Sequence, residues 1–146
     1  MTDDKLLRSV QRLSTALARM ERQMAARGGV SVSQLRVMIY LQESSADGIR
    51  ISDLAEDQGL AVSTMTRNLA LLEKKGWITR KQGAEDKRTV LIALTDEGHE
   101  VAGGLQQSTL GQLNQVFRAF PDDDRTERAV ALDRVAAALE NADETD

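Results

Sequence analysis

Residues Gly59–Gly98 read GLAVSTMTRNLALLEKKGWITRKQGAEDKRTVLIALTDEG, and the apolar pattern within them switches from a helical to an extended period. Met65, Leu69 and Leu72 stand at i, i+4 and i+7, which predicts a helix over 62–75 that Lys74, Lys75 and Gly76 close favourably. Trp77–Lys81 and Thr89–Leu94 are instead rich in β-branched and large apolar residues. The polar run Gln82–Lys87 between them contains a glycine, so the two segments predict a β-hairpin. Thr95 then caps a new helix, with Asp96 and Glu97 in its first turn. Upstream, Ser52 is a good cap for a short helix through Gln58, and Gly59 permits the left-handed turn that ends it. Ala55 lets two helices cross closely, with Leu54, Leu60 and Met65 in their shared core. A helix, a tight turn, a second helix and a basic hairpin make a winged helix-turn-helix plan.

Working outward, Leu6, Val10, Leu13, Leu17, Met20 and Met24 recur at steps of four and three, a narrow seam on one long helix ending at Gly28 and Gly29. Ser31 and Gln34 form a capping box, with Val30 and Leu35 as its hydrophobic staple, for a helix from about Val32 to Gln42. Asp47 and Gly48 read as a turn, and Ile49–Ile51 has the composition of a short strand. The helix capped by Thr95 runs toward Ala119, ahead of Pro121. Asp122–Asp124 open a last helix carrying Ala129, Leu132, Val135, Ala136 and Leu139 at helical spacing. Gly103, Gly104 and Gly111 fall inside the long fifth helix, each costing about 1 kcal/mol relative to alanine. Either close helix approach or a kink would account for them. The expected fold is mainly α with a small β-hairpin wing. A dimerisation helix (1–30) and C-terminal dimerisation helices (99–146) flank a winged helix-turn-helix (31–98). The competing arrangement has the first and last helices completing a monomeric core.

The 146-residue chain has no cysteine and one histidine, His99, which removes thiol redox chemistry and leaves little for a metal; no cofactor is expected. Asp122–Asp124 resemble a metal cluster only superficially, since acids at a helix start are favoured by the dipole, and no enzyme is expected. No apolar run approaches membrane-spanning length, and Asp3 and Asp4 stand where a signal peptide needs positive charge, which points to the cytoplasm. The net charge of −4 hides its distribution: residues 62–90 carry seven basic side chains against three acidic, whereas residues 91–146 sum to −8. A focused cationic surface on an acidic body suits a partner that is polyanionic where it touches, such as duplex DNA. The other reading of a short basic stretch is a solvated face.

Several stretches together resemble the MarR family of winged-helix transcriptional regulators. Asp86-Lys87-Arg88, the strand Thr89–Leu94 and Thr95-Asp96-Glu97-Gly98 match that family's wing signature. Ser63–Arg67 and Leu72–Ile78 look like its recognition helix and the exit into the wing. One departure is that neither Ala61 nor Val62 supplies the polar cap expected before the recognition helix. The resemblance implies a ligand-responsive repressor that binds an inverted-repeat operator as a homodimer. Ser63, Thr64, Thr66 and Arg67, with the neighbouring Asn68, would face the major groove, and Arg88 would enter the adjacent minor groove. Asp86, two positions away on the same strand face, would hold Arg88 in one rotamer, while Arg80, Lys81 and Lys87 neutralise phosphates. Such regulators commonly release DNA on binding a small phenolic or aromatic acid; Arg19, Met24, Arg36 and Tyr40 are the candidates to receive one. The rival is a winged helix that binds protein rather than DNA.

Overall fold

The computed structural model describes residues 1–44 and 46–143, so the last three residues of the expected C-terminal segment lie outside the described residues. Element order is α1 (Thr2–Gly28), α2 (Val32–Glu43), β1 (Ile49–Arg50), α3 (Ile51–Asp57), α4 (Val62–Lys74), β2 (Ile78–Gln82), β3 (Val90–Leu94), α5 (Asp96–Phe117) and α6 (Asp122–Asp143). The chain forms two units, residues 1–109 and 110–146. No helix among the described residues is long and apolar enough to cross a membrane.

In the larger unit the predicted capping box is complete. Gln34 N–H donates to Ser31 Oγ at 3.1 Å, and Ser31 N–H donates to Gln34 Oε1 at 3.0 Å. Two boundaries differ from the sequence expectation. Ile51 opens α3 instead of closing the short strand, and Ser52 is not its cap; Arg50 is, without a side-chain capping bond. The Arg50 guanidinium reaches Asp53 at 3.0 Å instead. Trp77 is not in the strand, because its N–H bonds back to Leu72 and its carbonyl accepts from Thr95 N–H, which fixes it at the helix exit. The wing is a three-stranded antiparallel sheet in the order β1-β3-β2, with Ile49 opposite Ile92 and Ile78 opposite Leu94.

The core joins five of these parts: Val37, Met38 and Leu41 of α2, Leu54 and Ala55 of α3, Met65, Leu69 and Leu72 of α4, Ile78, Ile92 and Leu94 of the sheet, and Ala102 of α5. Leu60 packs against it only partly buried. Gly98 is where helix α5 crosses the chain leaving α4. A Cβ there would sit 2.0 Å from the Trp77 carbonyl oxygen, so no side chain fits without moving backbone. Thr95 Oγ1 locks the same junction, donating to Gly76 O at 2.7 Å and accepting from Gly98 N–H at 3.0 Å. The glycines farther along α5 neither interrupt it nor sit under a neighbour: Gly103 would place a Cβ 3.6 Å from the Gln42 amide, and Gly104 and Gly111 face open space.

On α1 the apolar seam is largely open, with Leu6, Leu13 and Leu17 at 56%, 43% and 48% exposure, while Ala25 near its end is buried. In the smaller unit, α6 leaves Val130, Leu132 and Leu139 exposed. Arg125 at its start donates to the carbonyls of Phe117 and Phe120, closing the turn from α5.

Candidate nucleic-acid interface

Burial of Met65, Leu69 and Leu72 fixes the rotation of α4 and turns its other face outward. That face presents Ser63, Thr64, Thr66 and Arg67, all exposed. Ala61 caps the helix without a side-chain capping bond, so its first turn keeps the positive end of the helix dipole with no side-chain cap among the described residues. Thr66 Oγ1 donates to Val62 O at 2.8 Å, which commits its proton but leaves its lone pairs and methyl available. Arg67 forms no ion pair among the described residues.

Asn68 is different from its neighbours. It is half-buried and its amide donates to Ser33 Oγ at 2.7 Å, tying α4 to the start of α2. The sequence placed it with the outward polar set because it continues that run. The partner, 35 residues away, was invisible to local spacing.

The wing tip is a tight turn rather than strand. Gly83 N–H bonds Thr89 O at 2.9 Å and Thr89 N–H bonds Asp86 O at 3.0 Å, leaving Asp86 and Arg88 in the connection before β3. The expectation that these two share a strand face is therefore corrected. Asp86 does act on Arg88, but chiefly through the backbone: its Oδ1 accepts Arg88 N–H at 2.9 Å and lies 3.8 Å from Nε. The Arg88 side chain is 96% exposed. Lys87 beside it is also exposed.

Along β2, successive residues point to opposite faces. Arg80 shares the face of the buried Ile78 and so meets α4, pairing with Glu73 at 3.1 Å, whereas Lys81 projects from the other face. Arg80 is thus half-neutralised and serves to brace the wing against α4. Glu73 and Ser33 are the positioning residues that sequence reasoning missed, and both act on partners outside their own local segment. Lys75 stacks over the Trp77 ring at 4.9 Å, which fixes a further cation at the helix exit.

The small-molecule candidates divide. Met24, Arg36 and Tyr40 line one groove of about 450 Å³ between α1, α2 and the end of α3. Arg19 does not join them: it borders a separate depression on α1 beside Arg12 and Thr15. Arg36 is engaged by Glu21 in a two-pronged bridge of 2.6 and 3.0 Å. The hydrogen bond that Arg36 donates to Glu21 holds the guanidinium charge more firmly than usual, with burial opposing it and the Glu21 charge adding to it.

Residues 30–90 match the MarR family. The chain is 28% identical over 113 residues to an uncharacterised HTH-type transcriptional regulator, YfiV of Bacillus subtilis, covering 77% of this chain and 69% of that one. It is 26% identical over 115 residues to the transcriptional repressor MprA of Escherichia coli, covering 79% of this chain and 65% of MprA. Among solved structures, a MepR mutant of S. aureus superposes with a TM-score of 0.77 at 19% identity, over 89% of this chain and 95% of that one. Streptococcus pneumoniae FabT in complex with DNA gives 0.73 at 16%, over 95% and 96%. CouR of Rhodococcus jostii bound to p-coumaroyl-CoA gives 0.70 at 20%, over 93% and 94%. These structures establish a shared winged-helix fold. Over residues 30–90, which span the helix-turn-helix and most of the wing, the chain resembles the MarR family, and the relatives it resembles include transcriptional regulators.

Proposed function

We propose that this protein is a repressor that binds an inverted-repeat operator as a homodimer, with α4 in the major groove and the wing tip in the flanking minor groove. The observation that carries this reading is the pairing of two exposed cationic elements on one braced unit. Arg67 and the hydroxyl-bearing residues stand on the outward face of α4, and the exposed Arg88 stands on a wing that the Arg80–Glu73 bridge ties to that helix. Hydroxyls and guanidinium on the helix suit base edges and phosphates, and a lone exposed guanidinium suits a narrow, electronegative minor groove. Lys81 and Lys87 add affinity by displacing counterions without reading sequence. Solved structures of the same fold in complex with DNA, FabT among them, support the reading that this protein binds DNA.

A two-fold axis would set two copies of α4 about one DNA turn apart, ~34 Å, which is why the operator should be palindromic. The open seam of α1 is the surface available for the second copy. We assign the groove beside Tyr40 as the site where a small ligand changes the spacing of the two DNA-reading units, and so their affinity for the operator.

The deciding experiment is fluorescence anisotropy on the DNA upstream of the protein's own coding region, at two salt concentrations, with footprinting of the bound segment. Log affinity should fall linearly with log salt, by roughly 0.9 per phosphate neutralised, and the footprint should be two-fold symmetric. Absence of binding, or binding indifferent to salt, would instead support a protein-binding winged helix.

A further inference from the structure

We infer that the groove between α1, α2 and the end of α3 is selective for a small organic cation rather than for an aromatic acid. This rests on the assignment of that groove as the ligand site. An acid would need a free cation over the apolar floor, and the groove's arginine is already taken: Arg36 is bridged on two nitrogens by Glu21. Once that pair is set aside, two carboxylates remain on the rim, those of Glu43 and Asp57, with no further basic residue lining the groove. Glu43 accepts from the neutral Gln106 amide at 3.4 Å and has no ion pair among the described residues.

The floor is suited to a flat apolar body, being built from Met24, Leu35 and Ile39, and the Tyr40 ring beside it offers a negative π face to a cation. A second, independent feature is Gln58. Both polar atoms of its side chain are sealed from solvent with no hydrogen-bond partner among the described residues. A buried amide left in this state destabilises the fold unless something bonds to it. A rotation of the side chain toward the groove would let its carbonyl oxygen accept from an N–H of a cationic ligand and its amide nitrogen donate to a polar substituent. Gln58 is the residue on which α3 ends, immediately before the Gly59 turn into α4. A ligand bonded there acts on the segment that positions the recognition helix.

Benzamidine and benzoate test this directly, because they have nearly the same size and shape and opposite charge. Titrating each into the intact protein by heteronuclear NMR, benzamidine should shift groove resonances with an affinity at least tenfold above that of benzoate. The double substitution Glu43→Gln with Asp57→Asn should weaken benzamidine about tenfold and leave benzoate unchanged or slightly improved. Gln58→Met, which keeps the volume and removes the polar atoms, should raise the melting temperature of the free protein while weakening benzamidine. Benzoate binding as tightly as benzamidine, failure of both to bind, or a Gln58→Met protein less stable than the parent would each overturn the inference. Operator affinity is read in the same samples. Benzamidine that occupies the groove without altering DNA binding supports the cation selectivity and removes the regulatory assignment instead.

Discussion

Arg88 illustrates how a fold can fix a residue's backbone and still leave its side chain exposed. Asp86 fixes the backbone through the Arg88 N–H, and the guanidinium stays 96% exposed, with only a loose 3.8 Å approach to the same carboxylate. An exposed pair of this kind contributes little to stability. Arg88→Ala should therefore leave the melting temperature within about 1 °C, consistent with a surface change of under ~0.5 kcal/mol. It should weaken operator binding by roughly 1–3 kcal/mol, about fivefold to 150-fold, in an anisotropy titration. An unchanged affinity would take Arg88 out of the interface. Gly98 is the opposite case, a residue whose role is wholly internal. Alanine there drives a methyl group to 2.0 Å from the Trp77 carbonyl oxygen, a backbone atom that cannot rotate away. Chemical denaturation of Gly98→Ala should show a loss of about 3 kcal/mol or more. A loss under about 1 kcal/mol would mean that the junction between α4 and α5 is more yielding than its geometry indicates.

Helix α5 is a continuous element despite the glycines it carries, and among the described residues nothing at Gly104 or Gly111 exploits the missing side chain. Gly104→Ala should then add about 1 kcal/mol and raise the unfolding midpoint by roughly 3 °C. A decrease, read together with a shift toward monomer, would place that glycine against a second copy. Helix α4 and the wing behave as a single unit through Glu73–Arg80 and through the Thr95 hydroxyl, which holds the Gly76 carbonyl at the base of the wing. On its other side the Asn68–Ser33 bond links α4 to α2, the helix that also forms one wall of the groove. Helix α4 and the groove are thereby connected through two side chains and one helix.

For the whole molecule, the seam on α1 is the test of assembly. Leu13 is 43% exposed, so Leu13→Glu in a lone subunit would be nearly neutral, within about 0.5 kcal/mol. If the seam is a homodimer interface, a charge at its centre should dissociate the dimer in sedimentation velocity and abolish cooperative operator binding while each subunit stays folded. A Leu13→Glu protein that sediments like the parent would show that α1 is not the contact between copies.

Local sequence carried most of the architecture. The apolar period of Met65, Leu69 and Leu72, the Ser31–Gln34 capping box, the β-rich segments on either side of Gly83 and the Thr95 cap are all decided by residues within a few positions of one another. Short-range hydrogen bonding and side-chain periodicity are enough to specify such features. The charged block over 62–90 was equally legible, because composition can be counted along the chain. Tertiary structure alone decided which polar residues were free. Asn68 was drawn to Ser33, Arg80 to Glu73 and Arg36 to Glu21, whereas Arg67 and Arg88 remained available. The start of α3 and the extent of the wing strands also shifted, since pairing of β1 with β3 and the hydrogen bonds of Trp77 join segments distant in sequence. A residue's type sets what it can bond to, but its partner depends on which distant segments burial of the core brings within about 3 Å, and no local pattern encodes that distance.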